Sequence, residues 1–188
     1  MKRAFVAALA FAALAAASVS ASAQEVVNVF GFRFEDSLGT LKRINVTDFE
    51  KTRPGFGYGV RYAAAGHRAD IFVYDRGRKE ISADIRSEEQ RQEFTIAGRE
   101  IQLARQSGIY SEGKEGERFE YPAAKAPFFS CQRFTITRKD GGQEDSVLCL
   151  GARNNKFVKI RIAFSPPSAS SVAVAEGLLA QIARMTNF

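Results

Sequence analysis

Hydrophobic and polar residues alternate along several short stretches of this chain, which is the pattern expected of half-buried β-strands. The clearest alternation is Lys156–Phe164, which stops just before a Pro-Pro pair. Gly57–Tyr62 and Ala69–Tyr74 alternate in the same way, and the short segment between them predicts a hairpin. Further strand candidates, of which the last is also compatible with a helix, are Val26–Phe34, Glu117–Tyr121, Phe128–Arg138, Glu144–Leu150 and Leu41–Phe49.

Two segments repeat their apolar residues at steps of three and four, which predicts amphipathic helices. The first begins with a capping box of Ser87 and Gln90, and an exposed turn at Gly113–Gly116 is expected after it. Its apolar face consists of Phe94, Ala97, Ile101, Ala104 and Gly108. The second follows the Pro-Pro pair, with Ser168 or Ser170 as its cap. Its apolar face consists of Val172, Ala175, Leu178, Leu179 and Ile182.

This order of strands and helices indicates an α+β fold, a mainly antiparallel sheet flanked by two helices. The run Pro54–Tyr62, followed by Ala69–Asp75, resembles the opening hairpin of small secreted proteins with the PsbP-like (DcrB-like) α/β/α sandwich. The Phe157–Ile162 strand, the proline stop and the closing helix are similar too. The resemblance extends over Phe49–Phe188 and leaves Gln24–Asp48 outside it. It implies a non-catalytic accessory or envelope protein, with no catalytic residues to assign.

The N-terminus has the three parts of a secretory signal peptide. Lys2 and Arg3 precede an alanine-rich apolar run, and Ala21–Ala23 gives the small-x-small pattern of a cleavage site. The run is shorter and less hydrophobic than the roughly 20 strongly apolar residues of a membrane-spanning helix. We therefore expect a signal peptide over residues 1–23, cleavage near Ala23, and a single mature domain over residues 24–188 without a transmembrane segment. The expected location is the periplasm or the medium.

The chain has two cysteines, and an oxidising compartment favours their joining. Cys131 and Cys149 flank a predicted hairpin whose turn contains Asp140–Gly142. If the loop has an odd number of residues, both cysteines lie on one face of the hairpin. Its other face then carries Phe134, Ile136, Leu148 and Leu150. The sequence therefore predicts a structural disulfide and an odd loop, for example of three residues with a glycine in the left-handed position.

Charge excludes some partners. The formal net charge is +6, of which the predicted signal peptide supplies two positive charges, and acids and bases are interleaved in the remainder. Nucleic-acid binders present a broader basic face, so no nucleic acid is expected. The tightest basic cluster, Arg76–Lys79, follows a predicted strand and is interpreted as a solvated turn or as a site for an anionic lipid or phosphate.

Few residues suit catalysis or cofactor binding. The chain has one histidine, His67, and two cysteines that are expected to be bridged, so no metal site and no cofactor are predicted. The glycines of Gly55–Gly59 lead into a strand rather than a helix, which argues against a phosphate-binding loop. His67 with Asp70 could form a general-base pair, although a histidine in a surface turn is the simpler interpretation.

Aromatic residues give the remaining candidate site. Sixteen phenylalanines and five tyrosines suggest either a large core or a recognition surface. Tyrosine and arginine concentrate at binding hot spots. The predicted binding residues are Tyr58, Arg61, Tyr62, Arg68 and Tyr74, with Phe56 and Phe72 beside them; hairpin packing against a helix is the alternative.

Together these observations favour a non-catalytic exported protein that binds a partner protein or an envelope component. A carrier of a small apolar or lipid ligand, held between sheet and helices, is the first alternative. A small hydrolase that uses His67 is the second.

Overall fold

The computed structural model describes residues 25–123 and 126–188. The predicted signal peptide over residues 1–23 lies outside the described residues. None of the helices in the described ranges is long and apolar enough to cross a membrane.

Ten strands and two helices make up the described part of the chain. In chain order they are β1 (Val27–Val29), β2 (Phe32–Phe34), β3 (Ser37–Leu38), β4 (Leu41–Asp48), β5 (Tyr58–Ala64), β6 (His67–Tyr74), α1 (Glu88–Gln106), β7 (Tyr110–Tyr121), β8 (Phe129–Arg138), β9 (Gln143–Arg153), β10 (Lys156–Phe164) and α2 (Ser171–Met185).

Eight strands form one antiparallel sheet in the order β3-β4-β5-β6-β10-β9-β8-β7. The other two, β1 and β2, form a separate hairpin. Because side chains alternate across a strand, the sheet has two distinct faces. The fold is therefore α+β, with an antiparallel sheet between two helical layers, as the element order predicts.

One face of the sheet packs against α2 and the β1–β2 hairpin. Phe32, Leu179 and Ile182 are fully buried there, together with Ile71 and Ile160 of the sheet. The other face packs against α1, through Phe94, Ala97 and Ile101 of the helix. Helix α1 contacts mainly β7 and β9. It therefore covers one side of its face and leaves the β5 side open, where the Arg61 side chain is 49% exposed.

Several element predictions are confirmed. Ser87 is the N-cap of α1 and its hydroxyl accepts from the N–H of Gln90 at 3.3 Å. Lys156–Phe164 is β10 residue for residue, and the ambiguous Leu41–Phe49 segment is a strand, β4. Ser170 is the N-cap of α2, but its side chain makes no capping hydrogen bond.

Two element predictions are wrong. The predicted Val26–Phe34 strand is a hairpin of two short strands, because Phe30 and Gly31 both adopt positive φ and turn the chain. The predicted exposed turn at Gly113–Gly116 lies inside β7, which pairs along the length of β8. Gly113, Lys114 and Glu115 pair regularly with β8, and the register shift between Glu115 and Arg118 places Gly116 and Glu117 in a bulge within the strand.

The cysteine hairpin is confirmed in detail. Cys131 and Cys149 lie directly opposite each other on β8 and β9 and form a disulfide. Arg138 N–H donates to the Gly142 carbonyl, which leaves a three-residue loop with Gly141 at φ +82°. Both cysteines are buried on the α2 face, whereas Phe134, Ile136, Leu148 and Leu150 lie in the α1 cluster on the opposite face.

Candidate functional site

The open part of the α1 face carries charged side chains in rows across the sheet. Asp70 of β6 is in register with Arg61 of β5 and with Arg161 of β10. One row along the strands, Phe72 is in register with Gly59 and Lys159. Three adjacent strands therefore present arginine, lysine and aromatic side chains to the same space.

Acidic side chains beneath this row hold the arginines in place. The Asp70 carboxylate is 7% exposed, accepts a hydrogen bond from Arg61 Nε and lies 3.0 Å from Arg68 Nε. Glu144 of β9, which is 4% exposed, lies 3.4 Å from Arg161. Arg161 also donates to the Tyr110 hydroxyl at 2.9 Å. Because the carboxylates are buried, these ion pairs belong to the packed interior beneath the open surface.

These side chains line a cavity of about 300 Å³, called here the arginine cavity, whose other wall is formed by Ala97, Glu100 and Ile101 of α1. Its charged lining consists of Arg61, Arg68, Asp70, Glu100, Lys159 and Arg161. Lys159 Nζ pairs with Glu100 at 2.6 Å, which links the sheet to the helix across the cavity.

A smaller pocket of about 150 Å³, called here the aromatic pocket, adjoins the arginine cavity and shares Phe72, Glu100 and Lys159 with it. Its remaining lining residues are Phe49, Arg53, Phe56, Tyr74 and Arg76. The two spaces together are called the groove.

Cations lie over the aromatic rings of the pocket. The Arg53 guanidinium is 4.5 Å from the centre of the Phe56 ring, and Lys159 Nζ is 4.8 Å from that of Phe72. Phe49 packs against Phe72 across Gly59, where a Cβ atom would lie 3.0 Å from the Phe49 ring. The absence of a side chain at Gly59 thus makes room for Phe49 in the pocket wall.

A buried carboxylate fixes the inner end of the aromatic pocket. Glu93 of α1 is 3% exposed and accepts from the Tyr74 hydroxyl at 2.7 Å and from Arg76 Nε at 2.9 Å. Burial raises the pKa of Tyr74 well above its usual value of 10, and the Glu93 charge raises it further. Tyr74 is therefore a neutral hydrogen-bond donor in the physiological range. Arg76, from the basic cluster of the sequence, points inward to this carboxylate.

The loop that carries Arg53 and Phe56 is closed by its own acidic residue. The Glu50 carboxylate accepts from the N–H groups of Gly55, at 3.0 Å, and Gly57, at 2.6 Å. The backbone donors of the glycine-rich segment are thus used inside the protein, in agreement with the prediction that it is not a phosphate-binding loop. Gly57 has φ +63° and a Cβ there would lie 1.8 Å from the Val73 carbonyl oxygen, so the loop packs directly on β6.

Positive charge exceeds negative charge in the groove. Its cations are Arg53, Arg61, Arg68, Arg76, Lys159 and Arg161. The carboxylates paired with them are Asp70, Glu93, Glu100 and Glu144. Six cations against four carboxylates leave two positive charges, which attract an anionic ligand.

The structure separates the predicted binding residues into two groups. Arg61, Arg68 and Tyr74 lie on the α1 face and belong to the groove. Tyr58 and Tyr62 lie on the opposite face, packed against or within the α2 core. Tyr62 is fully buried and donates to the Glu35 carbonyl at 2.8 Å, and its burial raises its pKa to about 12. These five residues therefore do not form one surface.

The predicted binding residues leave out several residues of the groove, among them Phe49, Arg53, Lys159 and Arg161. Lys159 and Arg161 occur in the clearest alternating strand, on the face shared with Phe157, so their periodicity was a usable signal. Arg53 had no such signal, because a loop brings it to the sheet. Phe49 was assigned to the end of the predicted Leu41–Phe49 strand, but β4 ends at Asp48 and Phe49 begins the loop.

His67 and Asp70 point to opposite faces of β6. The His67 ring packs edge-on against Phe164, with ring centres 5.3 Å apart, whereas Asp70 pairs with Arg61 and Arg68. The sequence interpretation of these two residues as a general-base pair is not matched by this geometry.

Comparison with known proteins identifies the fold. No family model matches the chain, and no curated protein sequence matches it. Among solved structures, the cyanobacterial PsbP protein (CyanoP) of Synechocystis matches with a TM-score of 0.50 at 9% identity, over 89% of this chain and 94% of that one.

Two further structures are similar. A mutant of the protein Mog1 matches with a TM-score of 0.42 at 8% identity, over 88% of this chain and 93% of that one. A Pseudomonas aeruginosa protein of unknown function matches with a TM-score of 0.36 at 10% identity, over 87% of this chain and 94% of that one.

The fold is PsbP-like, as the sequence resemblance indicates. A likeness over 89% of the chain is longer than Phe49–Phe188, so it extends into the Gln24–Asp48 segment that the sequence resemblance left out. Within that segment β4 pairs with β5 and is an integral strand of the sheet.

Proposed function

We propose that this chain is an exported, non-catalytic domain that binds a partner protein through the groove. The observation that carries the proposal is the row of Arg61, Asp70 and Arg161 beside the aromatic pocket, on the part of the sheet that α1 leaves open. Buried carboxylates orient the cations, and orientation before binding reduces the entropy lost on association.

Export is supported by two independent features. Residues 1–23 have the sequence of a signal peptide. The disulfide between Cys131 and Cys149 is buried in the α2-facing core, and such structural disulfides persist in oxidising compartments such as the periplasm.

A binding role is supported by the way the groove uses its polar groups. Asp70, Glu93 and Glu144 each accept from or pair with an arginine, so these carboxylates serve to hold cations. A general base needs a carboxylate or imidazole within reach of a substrate proton. His67, the one histidine in the chain, points to the other face of β6.

The size and lining of the pocket favour a protein partner over a carried lipid. A cavity of 150 Å³ holds a group about as large as benzene, whereas pockets for drug-sized ligands measure roughly 300–1,000 Å³ and are mostly apolar. The aromatic pocket measures about 150 Å³ and is lined by Arg53, Arg76 and Lys159 as well as by rings. The adjoining arginine cavity, of about 300 Å³, is large enough for a small ligand but is lined by six charged side chains, which disfavours an apolar one. The aromatic pocket therefore fits a single side chain of a partner.

Site-specific photocrosslinking in the native host tests this function. A photoreactive phenylalanine analogue replaces Phe56 in the groove or, as a control, Val172 on α2; both side chains are 38% exposed in the structure. Illumination of whole cells should give one discrete protein adduct from position 56 and not from position 172.

Equal adducts from both positions, or no protein adduct from position 56, would contradict the proposal. A small-molecule adduct at position 56, identified by mass spectrometry, would support the ligand carrier instead. Hydrolysis of ester, phosphate or glycoside substrates that is lost in His67→Ala would support the hydrolase.

A further inference from the structure

We infer that the groove recognises an extended acidic segment of its partner, with one apolar side chain in the aromatic pocket and carboxylates two and four residues away along the segment. The inference rests on the proposed function and specifies the chemistry of the partner.

The aromatic pocket accommodates the apolar side chain. The aromatic pocket has four rings, from Phe49, Phe56, Phe72 and Tyr74, and the volume of one benzene-sized group. Phe56 is 38% exposed, so part of its ring faces water. A phenylalanine or leucine side chain fills this space and removes the Phe56 ring from water.

The rows of cations on the sheet set the spacing of the carboxylates in the partner segment. Successive rows on one face of a sheet lie two residues, or about 6.8 Å, apart along a strand. Arg61 and Arg161 lie one row beyond Phe72, and Arg68 lies one row further. An extended peptide laid along β6 has the same period, so carboxylates two and four residues from the apolar anchor reach these rows.

Arg61 keeps hydrogen-bond donors that its ion pair with Asp70 does not use. Arg61 uses Nε for Asp70, and its side chain is 49% exposed, so its terminal nitrogens face the open groove. Arg68 is 34% exposed, and its guanidinium is shared between Asp70, 3.0 Å from Nε, and Glu144, 3.7 Å from Nη2, so it contributes positive charge to its row. Guanidinium groups bind carboxylates in a bidentate geometry, which gives the site selectivity for acidic side chains.

The depth of two cations in the groove favours a peptide over a lipid surface. Lys159 and Arg161 are only 13% and 19% exposed, because they lie at the floor of the groove between the sheet and α1. A narrow extended chain can enter this space. A flat layer of headgroups reaches exposed cations instead.

Fluorescence anisotropy with labelled peptides and the full mature chain tests the inference. The test peptide is Gly-Ser-Phe-Ser-Glu-Ser-Glu-Gly, used in this order and in reverse because the chain direction in the groove is open. One control replaces Phe by Ala. The other, Gly-Ser-Phe-Glu-Ser-Glu-Ser-Gly, has the same composition with the carboxylates shifted by one residue.

In one of its two orders, the test peptide should bind at least about tenfold more tightly than either control. A tenfold difference in Kd corresponds to about 1.4 kcal/mol of binding free energy. Arg61→Gln should weaken it about tenfold, whereas Arg86→Gln, an ion-paired and 69% exposed arginine outside the groove, should not. Equal binding of all peptides, or an equal effect of the two substitutions, would overturn the inference.

Two further outcomes separate the inference from the proposed function. A position-56 protein adduct in cells without selective peptide binding would leave the partner site standing and refute the acidic-segment chemistry. Binding of phosphatidylglycerol vesicles that Arg61→Gln removes, without peptide binding, would replace the peptide by a membrane surface.

Discussion

Asp70 of β6 lies directly opposite Arg61 of β5, and its buried carboxylate accepts a hydrogen bond from Arg61 Nε. This relationship turns a flexible surface arginine into an oriented donor. The same carboxylate lies 3.0 Å from Arg68, and Arg161 occupies the register position on the other side of Asp70. Asp70 thus organises arginines on two neighbouring strands, while Arg161 on the third is held by Glu144.

Asp70→Asn should lower the free energy of unfolding by about 1–2 kcal/mol. The amide keeps the shape of the side chain but loses charge-assisted hydrogen bonds, and the partial exposure of Arg61 and Arg68 limits the loss. Urea unfolding measures it. Asp36→Asn, which removes a more exposed carboxylate 3.7 Å from Lys42, is the control and should change stability by less than about 0.5 kcal/mol. Equal losses would argue against the organising role of Asp70.

The raised pKa of Tyr62 predicts that the protein loses stability in alkaline solution. Its pKa is raised to about 12 in the folded protein from an ordinary value of 10, chiefly by burial. The unfolded chain therefore releases this proton first, so the contribution of Tyr62 is fully present below pH 10 and is lost as the pH rises towards 12. Between pH values of about 9 and about 11 it amounts to about 1 kcal/mol.

Tyr62→Phe removes the ionisable group and should make this alkaline loss smaller by about 1 kcal/mol, although the variant also loses the hydrogen bond to the Glu35 carbonyl at every pH. Urea unfolding at the two pH values gives the comparison. An unchanged pH dependence in Tyr62→Phe would contradict the assignment.

The disulfide should contribute about 3 kcal/mol to stability, since it closes a loop with a sequence separation of 18 residues. Unfolding of the oxidised protein, and of the Cys131→Ala, Cys149→Ala double variant, measures the difference. Thiol titration of protein purified from the periplasm should find no reactive thiol before reduction. Two reactive thiols in the native exported protein would show that the bridge is not formed there.

The loop that carries Phe56 depends on the backbone at Gly57. Gly57→Ala places a Cβ 1.8 Å from the Val73 carbonyl oxygen at a residue with φ +63°, so the loop must move off β6. We expect a loss of more than about 2 kcal/mol and faster tryptic cleavage after Lys51. Gly98→Ala, in the middle of α1 with no atom within 4 Å of the new Cβ, should instead stabilise the protein slightly. Unchanged cleavage in Gly57→Ala would contradict this account of the loop.

The parts of the fold that depend on local pattern were predictable from the sequence. The period of β10, the capping box of Ser87 and the parity of the cysteine hairpin each follow from residues close together in the chain. The two wrong predictions concern Gly113–Gly116 and Val26–Phe34. Long-range strand pairing explains the first, and an unusual backbone conformation explains the second. Pairing with β8 keeps Gly113–Gly116 extended, and the positive φ of Phe30, a residue type that rarely adopts it, turns the first strand back.

The groove could be predicted only in part, because its register is non-local. Asp70 comes into register with Arg161 through the pairing of β6 with β10, which are neighbours in the sheet but far apart in sequence. Alternation alone assigns Arg61 and Tyr62 to opposite faces, yet the composition of the hairpin suggested a single aromatic and arginine surface. The face that each residue joins was decided by α2, whose core takes Tyr62, and by the open side of α1, which leaves Arg61 in water.

The most direct test of the groove as the partner site is the photocrosslink from position 56 in a chain that also carries Arg53→Gln and Arg61→Gln. Arg53 lies over the Phe56 ring and Arg61 is half exposed, so both substitutions remove charge from the groove with limited effect on the core. Arg86→Gln is the matched control, and the thermal unfolding temperatures of both chains are compared. The account predicts that the protein adduct disappears in the groove variant and persists in Arg86→Gln. An adduct of equal yield in the two chains would contradict it.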